Sequence, residues 1–220
     1  MKRHSEIKIH LHEVRERIAA AAQANGRNPD EITVIAVTKT FPISDLLILK
    51  DLGIKDFGEN RDGDAAPKAR AVSGTWHFQG QIQSNKLKSI CAWAHVLHSL
   101  DDARHFEIIE KTAVHPLQIF LQVNLDGNPT RGGASIDSLF RLATVVEKNS
   151  THTLAGLMAV APLGIDAEMS FSQLAAIHID FLKGFPNARA LSAGMSGDYE
   201  IAIAYGATHL RIGSSILGSR

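Results

Sequence analysis

Apolar residues follow two rhythms along this chain. From 5 to 24 they recur at Ile7, Leu11, Val14, Ile18 and Ala21 or Ala22, with charges between them. That is the spacing of one helix face, and Asn25-Gly26 supplies a stop. Beyond it, short apolar runs bounded by turn residues alternate with helical stretches. The runs cover 32–39, 54–58, 75–79, 94–100, 117–125, 154–160, 188–194 and 208–212. Helices are predicted near 43–52, 60–72, 84–92, 102–114, 136–149, 168–184 and 198–206. Strand followed by helix, repeated, means a parallel sheet with helical crossovers. Eight runs, with no G-x-G-x-x-G after the first, favour a closed (β/α)8 TIM barrel over an open doubly wound sheet. No Pro- or Ser-rich linker divides the chain. A single domain over residues 1–220 is expected, with the extra N-terminal helix covering the barrel or one of its ends.

The first run carries the most suggestive side chain. Thr33-Val34-Ile35-Ala36-Val37-Thr38-Lys39 is β-branched and ends on a lysine before Phe41-Pro42. Alternation along a strand puts Ile35, Val37 and Lys39 on one face. A lysine drawn into an apolar setting gives up its proton more readily, and the free amine can condense with an aldehyde. Taken alone, it reads more readily as a surface lysine just past a strand end.

The barrel changes that balance, because chemistry in such barrels sits at the C-terminal ends of the strands. Those ends carry Lys39, Asn60, Gly80, Met158, Ser196 and Arg211 with Gly213-Ser214-Ser215. Closure sets the last strand beside the first. Ser196, Arg211, Gly213, Ser214, Lys39 and Asn60 then lie along one arc. Glycine and serine in the loops after strands seven and eight suit a phosphate, through backbone amides and hydroxyls. A phosphate cradle, a cation and an amine together suit a phosphorylated aldehyde, and pyridoxal 5'-phosphate is the evident candidate.

Composition narrows the setting. Lys plus Arg and Asp plus Glu are both 23, giving a net charge of zero, so nothing calls for a nucleic-acid partner. No apolar run reaches the roughly 18 residues of a membrane span. The lone cysteine, Cys91, allows no internal disulfide, and a cytoplasmic protein is expected. The histidines contain no H-E-x-x-H, and no metal is expected. Gly194-Met195-Ser196-Gly197-Asp198 departs from a G-x-S-x-G nucleophile elbow at its last position.

Several blocks stand in a telling order: Val37-Thr38-Lys39-Thr40, Phe57-Gly58-Glu59-Asn60, Gly156-Leu157-Met158-Ala159, Leu191-Ser192-Ala193-Gly194-Met195-Ser196-Gly197-Asp198 and Arg211-Ile212-Gly213. Between them lies the specific block W-H-F-x-G-x-x-Q-S-N-K over residues 76–86. Together they resemble the pyridoxal 5'-phosphate homeostasis proteins, over nearly the whole chain. The resemblance implies a barrel like the N-terminal domain of alanine racemase (the third fold type among pyridoxal phosphate proteins). It also implies a role in intracellular homeostasis or carriage of the cofactor. It makes Lys39 the Schiff-base lysine, gives the phosphate to Ser196, Gly213 and Ser214, sets Arg211 against the pyridine nitrogen, and lines the ring with Asn60 and Met158. Residues 61–66 and the loop 126–133, with Arg131 where a lysine is common, depart from the family pattern.

An arginine can only donate a hydrogen bond, so the ring nitrogen facing it stays unprotonated and the ring is a weaker electron sink. A racemase also needs two bases on opposite faces. In the alanine-racemase-like enzymes the second is a tyrosine offered by a partner subunit, whereas Tyr199 and Tyr205 here fall in the helix after strand seven. Carriage without turnover is therefore expected, with a weak or specialised amino acid racemase as the alternative and a cofactor-free Schiff-base lyase as a third reading. Expected partners are the cofactor itself and apo-enzymes that would receive it; the chain is expected to be a monomer.

Overall fold

The structure is a computed structural model that describes residues 2–128 and 130–218. Eight parallel strands close into a barrel in chain order. They are β1 (Thr33–Val37), β2 (Asp56–Glu59), β3 (Thr75–Phe78), β4 (Val96–Leu100), β5 (Gln118–Gln122), β6 (Thr153–Met158), β7 (Ala190–Ser192) and β8 (His209–Ile212). Closure is made by β1 against β8, with Ile35 opposite Arg211 and Ala36 opposite Ile212. The barrel expectation and the eight predicted runs are therefore met. The strands are shorter than the runs because apolar character continues into the turns at their ends.

The first helix, α1 (Lys2–Ala24), buries Ile7, Leu11, Val14, Ile18 and Ala22. Gly26 follows it with φ 65°, the left-handed turn that ends many helices. Seven helices alternate with the strands: α2 (Ile43–Asp51), α3 (Asp62–Ala71), α4 (Leu87–Trp93), α5 (Ala103–Thr112), α6 (Ile136–Glu147), α7 (Ala167–Gly184) and α8 (Tyr199–Ala204). A short α9 (Ser214–Leu217) follows β8. α1 lies against α2, α8 and α9 and so covers the seam where the barrel closes. The predicted helix at 84–92 is split, with a 3-10 turn at Ser84–Lys86 ahead of α4.

Strand alternation sorts the side chains into two compartments. Ala36, Phe57, Trp76, Leu97, Ile119, Leu157, Leu191 and Leu210 face outward into the main core under the helices. Inside the barrel, Val96, Phe120 and Met158 form a small apolar cluster. Ile35 is buried on the same inner face, but beside it stand four polar side chains, His77, His98, Ser192 and Arg211, all buried. Barrel interiors are usually layered with branched apolar residues, so this polar filling is a departure to account for.

Candidate active site

Lys39 lies two residues past β1, at the barrel mouth. Its side chain is exposed, although Thr38 before it is buried. The expectation that an apolar setting would act on this amine is corrected: the strand ends before Lys39 reaches the interior. Its backbone is nevertheless held firmly. The Thr38 carbonyl accepts from the Phe41 amide at 3.1 Å and from Lys68 Nζ at 2.8 Å. Thr38 Oγ1 and Lys68 Nζ both donate to Glu59 Oε1, at 2.7 and 2.6 Å. Between these anchors Thr40 takes φ 68°, a left-handed conformation that β-branched residues rarely adopt. Such strain persists where surrounding contacts over-determine it.

Across the β1–β8 seam, Gly213 lies so close to Val37 that a Cβ there would be 3.3 Å from the Val37 carbonyl oxygen. The two loops after β7 and β8 meet at Ser196. Its Oγ accepts from the amides of Gly213 at 3.3 Å and Ser215 at 3.2 Å, and Ser215 Oγ donates to the Ser196 carbonyl at 3.2 Å. Two amides and two hydroxyls thus converge across the seam from Val37; both amides and the Ser215 hydroxyl are engaged by Ser196, and the Ser196 hydroxyl proton is left to meet a ligand oxygen. Ser214 opens α9 and is exposed. Gly194, at φ 90°, packs so tightly on α8 that an added Cβ would stand 2.9 Å from Tyr199 Cα, which fixes the path of the β7 loop.

Arg211 is 5% exposed. It donates from Nη1 to Ser192 Oγ at 2.7 Å and from Nη2 to the Ala159 carbonyl at 2.9 Å. No carboxylate among the described residues pairs with it. Burial lowers its pKa to about 10, against an opposing pull from Asp198, so it is a cation at neutral pH. A buried guanidinium without a counterion is costly and suits a ligand that brings an acceptor. Met158, on β6 next to Ala159, is buried inside the barrel with Val96 and Phe120.

Asn60 is exposed at the end of β2 and borders a cavity of about 360 Å³ with Phe78, Gln81 and Lys86. Its carbonyl is crowded by Gly80, where a Cβ would stand 2.1 Å from it. The structure thus joins Ser196 and Gly213 directly, sets both beside the β1 end, and puts Arg211 and Met158 below them. Asn60 is further round the rim. Ser215 belongs to the Gly213-Ser214-Ser215 stretch the sequence offered for a phosphate; Ser192, His98, Lys68 and Asp56 were not singled out from the sequence as site residues. Inward alternation on β4 and β7 could have flagged His98 and Ser192; nothing local points to Lys68.

The residues around the site have local roles. His77 is a core histidine, bonded to His98 and Asp56. Trp76 and Trp93 pack edge to face at 6.3 Å. His10 and His12 have an i, i+2 spacing, but on a helix such residues do not face each other, and His10 Nδ1 lies 3.3 Å from the Ile216 carbonyl. Among the described residues no group of three metal-ligating side chains is close enough to hold an ion, and no helix is long and apolar enough to cross a membrane. Pro129, in the divergent loop, lies outside the described residues; its neighbour Arg131 reaches the Val160 carbonyl at 3.4 Å.

Fold and site together define a closed barrel with an amine past the end of β1, a buried cation on β8 and a Gly/Ser loop junction after β7 and β8. The family profile described as alanine racemase, N-terminal domain, matches residues 9–220. A pyridoxal phosphate homeostasis protein of Mycobacterium leprae is 37% identical over 240 aligned positions, covering 98% of this chain and 93% of that protein. The structure of PipY from Synechococcus elongatus, with pyridoxal phosphate bound, superposes with a TM-score of 0.81 at 28% identity, over 93% of this chain and 100% of that one. Alanine racemase from Corynebacterium glutamicum shares the fold at a TM-score of 0.69 and 10% identity; this chain matches 60% of its length. The chain belongs to the alanine racemase N-terminal-domain family and, within it, to the pyridoxal phosphate homeostasis proteins.

Proposed function

We propose that residues 1–220 act as one unit that binds pyridoxal 5'-phosphate covalently through Lys39 and serves cellular homeostasis of the cofactor. The observation that carries this reading is Arg211, buried without a carboxylate partner, in a barrel whose β1–β8 seam joins the end of β1 to the loops of Ser196, Gly213 and Ser215. When bound, the cofactor supplies an aldehyde for an amine and a ring that withdraws electrons. Lys39 offers the amine on an exposed, accessible rim. Ser196, Gly213 and Ser214, with Ser215, would hold the phosphate. Arg211 would donate to the ring nitrogen, and Met158 and Asn60 would flank the ring. Because a guanidinium only donates, Arg211 holds no proton in reserve for that nitrogen.

Turnover would need a second base across from Lys39. Tyr199 is buried, with the Arg17 guanidinium 5.3 Å from its ring centroid, and Tyr205 donates to Glu168 at 3.1 Å on the outer surface. Neither reaches the mouth, which supports holding and release over racemisation. Cytoplasmic carriage to apo-enzymes, by a monomer, completes the proposal. The test is an absorbance spectrum before and after adding pyridoxal phosphate, then borohydride reduction and peptide mapping. The expected result is a visible band and a label on Lys39, with neither in Lys39→Ala. A label retained in that variant would overturn the assignment.

A further inference from the structure

Beneath the mouth lies a row of polar side chains that cofactor binding leaves unused. Arg211 Nη1 donates to Ser192 Oγ at 2.7 Å, and that oxygen is 2.9 Å from His98 Nδ1. His98 Nε2 is 2.9 Å from His77 Nδ1, and His77 Nε2 is 3.0 Å from Asp56 Oδ1. The row runs from β8 through β7, β4 and β3 to β2. Asp56 borders a cavity of about 600 Å³ at the N-terminal ends of β1 and β2, beside Arg15 and Lys55. One end of the row therefore meets the candidate site and the other opens at the far side of the barrel.

The two ends dictate every proton between them. Arg211 can donate but not accept; an ionised Asp56 can accept but not donate. With both imidazoles neutral, each has one N–H and one bare nitrogen. The carboxylate takes the proton on His77 Nε2. His77 Nδ1 is then bare and accepts from His98 Nε2–H. His98 Nδ1 is bare in turn and accepts from the Ser192 hydroxyl, whose oxygen accepts from Arg211. With neutral rings the opposite assignment leaves a bare His77 nitrogen against a carboxylate, so only one neutral arrangement satisfies all four contacts. Burial drives the His98 pKa well down, with His77, Arg211 and His209 adding to it, which keeps that ring neutral. His209, the remaining titratable group facing His98, is engaged by Thr208 Oγ1 at 2.8 Å.

We propose that Asp56, His77, His98 and Ser192 form a one-way hydrogen-bonded chain that positions the Arg211 guanidinium at the floor of the site. A hydroxyl that donates onward is a better acceptor, so each link tightens the hold on Arg211. These four are positioning residues. The chain itself stands on this structure alone; its consequence for the cofactor rests on the function proposed above.

Nitrogen NMR of the histidine-labelled full-length protein, without cofactor and at mildly alkaline pH, reads which ring nitrogens carry protons. Single Nε2–H tautomers are expected at both His77 and His98, with signals assigned from His77→Gln and His98→Gln. In Asp56→Asn, whose amide can donate or accept, His98 should become a mixture of tautomers, whereas in Ser192→Ala the carboxylate end still fixes both rings and His98 should keep Nε2–H. An Nδ1–H at His98 in the parent protein, or an unchanged single tautomer in Asp56→Asn, overturns the chain. In protein loaded with pyridoxal phosphate, both variants should shift the visible band while borohydride still labels Lys39. An unmoved band with intact labelling overturns the link to Arg211. Failure to label the parent protein overturns the cofactor reading instead, and the NMR result stands apart from it.

Discussion

Replacing Lys68 with methionine probes the clamp behind Lys39. Lys68 Nζ donates to Glu59 Oε1 at 2.6 Å and to the Thr38 carbonyl at 2.8 Å. Glu59 is fully buried, and its Oε2 has no partner. Methionine keeps most of the lysine stem and removes the cation. The carboxylate then retains one donor, the Thr38 hydroxyl, with no access to solvent. Breaking a buried pair from one side costs about 3–5 kcal/mol. In a chain of 220 residues, each kcal/mol moves Tm by about 2–4 °C, so Tm should fall by roughly 6–20 °C. Urea unfolding at a constant slope measures the loss directly. Removing both charges in Glu59→Met/Lys68→Met should recover more than half of it, because no buried ion is then stranded. A loss below about 1 kcal/mol in Lys68→Met would refute the reasoning. The Thr38 carbonyl also keeps only the Phe41 amide, so borohydride labelling of Lys39 in cofactor-loaded protein should slow.

Three further outcomes are expected. Burial pushes His98 well down and, with His77 adding to it, holds His209 near 4. Both folded values lie below the unfolded value of about 6.5, so their contribution is complete above that pH and is lost as pH falls toward 4, by up to about 1.4 kcal/mol per pH unit for each group. His209→Asn should show a dependence shallower by one proton in urea unfolding at a series of pH values, and an equal slope would contradict this. Ser196→Ala removes the acceptor on which the Gly213 and Ser215 amides converge and should weaken retention of pyridoxal phosphate about tenfold in equilibrium dialysis; unchanged retention would count against the cradle. Gly80→Ala drives a Cβ to 2.1 Å from the Asn60 carbonyl oxygen, and should cost about 1–3 kcal/mol by separating the ends of β2 and β3; parent-like stability would mean the rim yields there.

Much of this molecule was readable before folding. Helical spacing in 5–24 marked α1, and eight apolar runs marked eight strands, because period and burial follow from which faces must leave water. Lys39, Ser196, Arg211 and Gly213 could be named because barrel chemistry collects at strand ends, and strand ends can be counted. What could not be read was where the interior stops. Lys39 continues the alternation of Ile35 and Val37, yet its side chain is exposed, since the strand ends two residues earlier.

Sequence alone determined the order of elements and the closed barrel, which depend on local pattern and on the rule that the last strand must meet the first. Only tertiary structure decided the partners. Lys68 reaches back to Thr38 and Glu59 because α3 crosses the outside of the sheet there. Asp56, His77, His98, Ser192 and Arg211 come from five strands spread over more than two-thirds of the chain. They form a row because closure points alternate residues of every strand at one narrow axis, where buried polar groups must find partners in neighbouring strands.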